Sequence, residues 1–248
     1  MLNAATLDAI EQALEGLLND GSEEAAQLAD VLVKQLEAAL FEQQQIDSES
    51  AQPKMKALLE SHPWMMPEQI GQILDRIIRE NASAKSKRKK VIAIANRVTA
   101  ALEPYTACKP GCSACCHMNT MIYEHEAIRL AEMTGRKMVR LPYRPLDQIA
   151  LNGDKFNGEP CPFLVENKCS VYDDRPLVCR THHSLRDGAS QCRLTSADNY
   201  IRPPMYDPDV LEVPYMELNA SYNPAEPWGN IAEFFPTSDC GENIRLAK

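Results

Sequence analysis

Apolar residues recur three and four positions apart through the first hundred residues, the signature of helices with one buried face. Leu7, Ile10, Leu14 and Leu17 make the first stripe, and Gly21 is placed to end it. Leu28, Val31, Leu32, Leu36 and Leu40 make a longer second stripe from near Ser22. Its first turn carries Glu23 and Glu24, whose charge suits the helix dipole. Ile70, Ile73, Leu74, Ile77 and Ile78 follow Pro67, which is suited to a first helical turn. Val91, Ile94, Ala95, Val98 and Leu102 form a fourth stripe, ended by Pro104. The segment holds no cysteine and one histidine, His62. Residues 1–104 therefore read as a helical bundle that packs or docks.

From Tyr105 the period breaks. Pro110-Gly111 marks a turn, and one further helix is predicted from about Tyr123 to Thr134, with Gly135 as its stop. His125 on that helix is expected to be structural. Beyond Cys192 the chain is proline-rich, with seven of its 17 prolines between Pro203 and Pro236. Tyr206, Tyr215, Tyr222, Trp228, Phe234 and Phe235 are spread among them. So many large rings argue against a disordered tail. An extended segment that wraps the folded body and lines its site is expected. The chain as a whole reads as mainly α: a helical bundle (1–104), a small irregular cysteine-rich domain with short helices (105–195) and an extended proline-rich segment (196–248).

Charge narrows the partners. The 248 residues carry a formal charge of −9, which disfavours nucleic acid or an anionic membrane surface. Residues 1–80 hold 15 acids and 5 bases, whereas 81–104 hold 6 bases and 1 acid. The basic run Lys85, Lys87, Arg88, Lys89 and Lys90 has no interleaved aromatic residue. It is expected to be a solvated helix face paired with the acidic surface. No stretch approaches the roughly 20 apolar residues of a membrane helix. The start lacks the basic and apolar regions of a signal peptide. A soluble, cytoplasmic protein is expected, with a protein as partner or substrate; the oligomeric state is left open.

The chemistry lies in the cysteines. Eight of nine fall between Cys108 and Cys192, opening with Cys108-x3-Cys112-x2-Cys115-Cys116 and continuing with Cys161, Cys169, Cys179 and Cys192. In a reducing compartment such a group points to metal ligands or redox catalysis rather than to disulfides. Cys240 stands apart and is expected to be a bystander. On a helical turn Cys112 can converge with Cys115 or Cys116, but adjacent Cys115 and Cys116 diverge. Either the turn is irregular or the pair serves two centres.

Asp173-Asp174-Arg175-Pro176 is predicted to open a short helix capped by Asp174. Arg175 and Arg180 would then flank Cys179, offsetting thiolate charge or forming salt bridges. His117, His182 and His183 lie close enough in sequence to be further ligands or acid–base groups.

Taken together, Cys108-x3-Cys112-x2-Cys115-Cys116, Cys161-Pro162-Phe163-Leu164 and Cys169-Ser170-Val171-Tyr172-x2-Arg175-Pro176-x2-Cys179-Arg180 resemble the YkgJ-type cysteine-cluster family. Its members are described as zinc- or iron-chelating (CxxCxxCC) proteins. Related cysteine sets occur in flagellin lysine N-methylase, which is taken to hold an iron–sulfur cluster. The resemblance spans roughly residues 105–195 and implies metal or cluster binding.

Spacing ranks the metals. Only Cys112-x2-Cys115 has the form of a zinc knuckle, whereas iron–sulfur clusters accept more varied spacing. Eight cysteines suit a [4Fe-4S] cluster with spares, or two four-ligand centres. The expectation is an iron–sulfur protein acting in redox chemistry or in modifying a protein or small molecule. A structural zinc domain, or an iron or zinc storage or delivery protein, are the alternatives. No nucleotide loop or hydrolase series is present to carry catalysis away from the metal.

Overall fold

The computed structural model describes residues 4–145, 148, 154–188, 192 and 203–236. It is mainly helical. Helix α1 (Ala4–Asp20) ends before Gly21, whose φ of 71° lies in the left-handed region that favours glycine. Ser22 caps α2 by accepting the Ala25 N–H, and Glu23 and Glu24 sit in its first turn. Helix α2 runs from Glu23 to Ser61, well past the predicted stripe and through Pro53. Helices α3 (Pro67–Arg79) and α4 (Ala84–Leu102) follow, the latter capped by Ser83. Helix α5 (Glu124–Thr134) stops at left-handed Gly135. Among the described residues no helix is long and apolar enough to cross a membrane.

Two apolar cores organise these elements. The first joins Leu58, Met65, Ile70, Leu74, Val91, Val98 and Leu102 to Leu177, Leu185, Tyr206, Leu211, Tyr215 and Leu218. The second gathers Ile122, Ala127, Leu130, Phe163 and Val171 with Ile231, Phe234 and Phe235. The segment between Tyr206 and Phe235 thus contributes residues to both.

Its middle differs from the expected extended form: helix α7 (Asp209–Tyr222) contains Pro214. Leu211, Tyr215 and Leu218 recur at helical spacing and are buried between α3 and α4. That burial outweighs the local cost of the proline. Farther on, β4 (Trp228–Asn230) pairs antiparallel with β1 (Met121–Tyr123), setting Ile122 opposite Gly229. Helix α8 (Ile231–Phe234) follows β4 directly.

The basic run on α4 is less solvated than its composition implies. Lys87 is 7% exposed, donates to the Ile78 carbonyl at 2.5 Å and lies over the Tyr222 ring. Arg88 binds Asn219 and Glu226, and Lys90 binds Glu80. An intervening helix, α7, supplies partners to charges that the sequence pattern alone places at the surface.

Candidate metal centre

Local turns deliver each cysteine to its place. Pro110-Gly111 forms the predicted reversal: the Cys112 N–H donates to the Lys109 carbonyl at 2.9 Å, and Gly111 takes a φ of 94°. Proline then glycine at the two central positions is the requirement of a type II turn. Ala114–His117 is a turn of 3₁₀ helix, which rotates about 120° per residue. Cys115 and Cys116 therefore diverge at the backbone, yet both line the same cavity.

The next cysteines are clipped to that turn by the main chain. The Cys116 carbonyl accepts the Cys161 N–H at 2.7 Å, and the His117 carbonyl accepts the Gly158 N–H at 2.7 Å. Cys169 lies on a small hairpin, β2 (Leu164–Val165) against β3 (Lys168–Cys169). Its two-residue loop puts Glu166 and Asn167 at φ 49° and 58°, the backbone of a tight hairpin turn.

Cys179 lies on a single helical turn, α6 (Val178–Thr181). Glu126 positions it, accepting the Leu177 N–H with one carboxylate oxygen and the Tyr123 N–H with the other. The predicted cap at Asp174 does not form. Tyr172–Asp174 is a short 3₁₀ turn, and Arg175 before Pro176 is extended at ψ 141°. A residue preceding proline is driven out of the helical region, so α6 begins later. The Asp174 carboxylate instead meets Arg129 at 2.5 Å.

The result is a cavity of about 80 Å³ lined by the cysteines Cys112, Cys115, Cys116, Cys161, Cys169 and Cys179. Phe163, Val171, Ile231 and His182 complete much of its wall. That volume is several times the roughly 10–15 Å³ needed to admit one water. Among the described residues no three His, Cys, Asp or Glu side chains converge closely enough to hold a single ion. The sulfurs surround a space rather than a point.

Burial sets the protonation of these groups. Cys161 is pushed up to about 11 by desolvation, and Cys179 and Cys169 are raised for the same reason. Cys115 is held well above the usual thiol value first by its hydrogen bond with Cys116 and then by burial. The Arg175 guanidinium opposes the rise at Cys115, Cys169 and Cys179. Without a cation these thiols keep their protons at neutral pH. A sulfur-rich donor set of this kind fits soft metals, whose binding releases those protons.

Cys108 and Cys192 are not among the residues lining the cavity. Burial pushes Cys108 up to about 11 and raises Cys192 as well. Ser184, which sequence reading did not single out, hydrogen-bonds both sulfurs. Its main-chain N–H serves Cys108 and its hydroxyl serves Cys192. Cys240 lies outside the described residues.

The histidines and arginines fall in different places. His182 lines the cavity. His117 donates from Nδ1 to the Ser113 carbonyl at 3.1 Å. His183 is buried against α4, its Nε2 2.9 Å from the Arg180 carbonyl and 3.1 Å from Thr99 Oγ1. Desolvation lowers its pKa to about 4, keeping it neutral. His125 bridges Glu226 and the Tyr215 hydroxyl.

Arg175 stacks over Tyr172 at 3.6 Å and donates to the Tyr172 and Cys179 carbonyls. Arg180 is spent on the protein frame, binding Asn96 and the carbonyls of Asp173 and Arg175.

Residues 107–200 match a family model, CxxCxxCC, described as "Putative zinc- or iron-chelating domain". This stretch is similar to that cysteine-cluster domain. It covers less than half the chain, and its description is one of metal binding, by zinc or iron. The six cysteines around the cavity all lie within it. The chain matches no curated protein and no solved structure.

Proposed function

We propose that the chain holds an iron–sulfur cluster of the [4Fe-4S] type in this cavity and acts in redox chemistry or in modification of a protein or small molecule. Cys115, Cys161, Cys169 and Cys179 would be its ligands, with Cys116 beside Cys115. Mutual charge interactions support this grouping, because Cys179 faces Cys115, Cys161 and Cys169. A bound cluster would supply one-electron transfer or a Lewis-acidic iron site. The chain's own contribution is electrostatic and steric. Arg175 offsets thiolate charge, while Phe163, Val171 and Ile231 keep water away.

The observation that carries the reading is the arrangement of sulfurs around a cavity rather than about one point. Four thiolates on one zinc, at about 2.3 Å each, would stand roughly 3.8 Å apart and would converge. A cluster spans more volume and takes ligands from its corners. The thiol-rich composition also fits a reducing compartment such as the cytoplasm.

Anaerobic purification followed by iron, zinc and acid-labile sulfide analysis tests the proposal. Iron with sulfide and a broad absorption near roughly 400 nm is the expected result. Colourless protein with stoichiometric zinc and no sulfide would replace it with a structural zinc domain.

A further inference from the structure

Helix α2 joins the first core only from Ala51 onward, and among the described residues none before Ala51 belongs to either core. It enters the body through Asp47, buried against Arg186 at 2.5 Å, and through Lys54, which donates to the Leu185 carbonyl at 2.6 Å. The stretch before that, residues 23–46, is packed by α1, and Ala25, Ala29 and Leu36 are buried along one face of it. At 1.5 Å per residue it reaches about 36 Å. Helix α1 and this half of α2 therefore make a hairpin that leans on itself rather than on either core.

The opposite side of α2 is apolar and uncovered. Leu28 is 58% exposed, Val31 52% and Phe41 62%, with Ala38 exposed between them. Steps of three and seven residues keep these four on one side of the helix, turned away from Ala25, Ala29 and Leu36. Exposed apolar residues are ordinary one at a time, but a row of them rimmed by charge marks an interaction face.

The rim has one sign. Residues 4–46 hold nine acids and one base, and that base, Lys34, is bound to Asp30 at 2.6 Å. Glu24 lies one turn before Leu28 and Glu42 one turn beyond Ala38, while Asp30 and Glu37, seven apart, follow one edge of the row; all four are exposed. A second copy docking through the same face would set these acids against their own kind. Nucleic acid and anionic membrane are repelled for the same reason. What complements an apolar row between carboxylates is a helix with an apolar face and basic flanks.

We propose that the α1–α2 hairpin docks a basic amphipathic helix of a partner protein along Leu28, Val31, Ala38 and Phe41. Lysine or arginine side chains of that helix would meet Glu24, Asp30, Glu37 and Glu42. The apolar row holds the helix, and the carboxylates select it and steer its approach. This face serves the chain whatever the cysteine cavity holds.

The probe is a synthetic amphipathic helix of about 18 residues, long enough to cover the row, with leucine on one face and lysine on the other. It is titrated into the full chain by fluorescence anisotropy beside two controls: a leucine–glutamate helix, and the leucine–lysine composition in scrambled order with no apolar face. The ordered basic helix should bind about tenfold tighter than either control, a difference of about 1.4 kcal/mol. Leu28→Ser/Val31→Ser/Phe41→Ser should weaken it about tenfold or more. Glu24→Gln/Glu42→Gln should weaken it less and reduce its salt dependence. Met133→Ser/Tyr143→Ser, which removes exposed apolar residues outside the hairpin, should leave binding unchanged.

Equal binding of the ordered and scrambled peptides, unchanged affinity in the triple variant, or an equal loss in the Met133/Tyr143 variant would each overturn the docking face. So would a wild type that sediments as a dimer and becomes a monomer in the triple variant, because the occupant would then be a second copy. Should the triple variant fail to fold, Phe41→Ser alone decides: weaker binding of the ordered peptide supports the face, and unchanged binding overturns it.

Discussion

The helices up to Leu102 and the stretch from Tyr105 to Leu185 reach their folded form by different means. Leu58, Ile70, Leu74, Val91 and Leu102 are almost wholly out of solvent, so the first region rests on apolar burial. The second also buries apolar residues, among them Ile122, Ala127 and Leu130, but its core is completed from elsewhere in the chain. Phe163 and Val171 depend on Ile231, Phe234 and Phe235 from the far end of the chain. Single hydrogen bonds, such as Cys161 N–H to the Cys116 carbonyl, hold its loops. What it adds to that shared core is a cavity lined by cysteines. A metal bound there would couple to folding, because its ligands come from separate loops.

Exchanging the two kinds of damage is the sharpest way to test that contrast. Cys179→Ser should remove bound metal and destabilise residues 105–185, measured as protease sensitivity and metal content. A chelator should lower the thermal midpoint of wild type and leave this variant unmoved. Leu74→Ala should instead cost about 2–5 kcal/mol whether or not metal is present, with metal content unchanged in the folded fraction. Equal chelator sensitivity in wild type and Cys179→Ser would erase the distinction between the regions.

The seam between them comes next in size. Asp47→Ala leaves Arg186 without its buried carboxylate and should cost about 3–5 kcal/mol in a denaturant titration. A loss no larger than that of an exposed pair would mean that α2 is only loosely docked on the Ser184–Asp187 segment.

Acid should probe the same seam through His183. Its folded pKa, about 4, lies below the ordinary value of 6.5 because burial disfavours the charged ring. The unfolded chain binds the extra proton, so this contribution is complete above pH 6.5 and is lost as pH falls towards 4. Its full size is about 3 kcal/mol by the pKa difference. His183→Gln should flatten that part of the stability profile.

Glu226 acts lower on the scale. Burial pushes its pKa up, but the His125 hydrogen bond and Arg88 more than offset this and hold it below the ordinary value of 4.5. Its contribution is therefore present above that value and fades as pH falls through the depressed one. The smallest effect is expected at Cys240: Cys240→Ser should change neither metal content nor stability.

Much of the first region was legible residue by residue. The stripes from Leu28 to Leu40 and from Ile70 to Ile78 marked their helices, and Gly21, Ser22, Pro67 and Gly135 marked ends. Such signals are local, because a helix repeats within four residues and is capped by its neighbours. The Asp174 cap was misread for a reason of the same local kind: proline restricts the residue before it more strongly than aspartate favours a cap. Helix α7 was missed because its prolines and rings have no periodic meaning until α3 and α4 offer them a surface.

The cysteine spacing by itself pointed to metal or redox chemistry within residues 108–192, because short turns can bring thiols so close in sequence to one place. Only the tertiary structure decided that six of them line one cavity while Cys108 and Cys192 do not. The hairpin at Glu166–Asn167 is local, but the Glu126 bond to Leu177 and the strand pairing with Trp228–Asn230 are contacts between residues tens of positions apart. Ser184 carries no motif. It bears on Cys108 and Cys192 because the fold brings distant backbone together there, and direction at a sulfur atom is a property of that packing rather than of spacing along the chain.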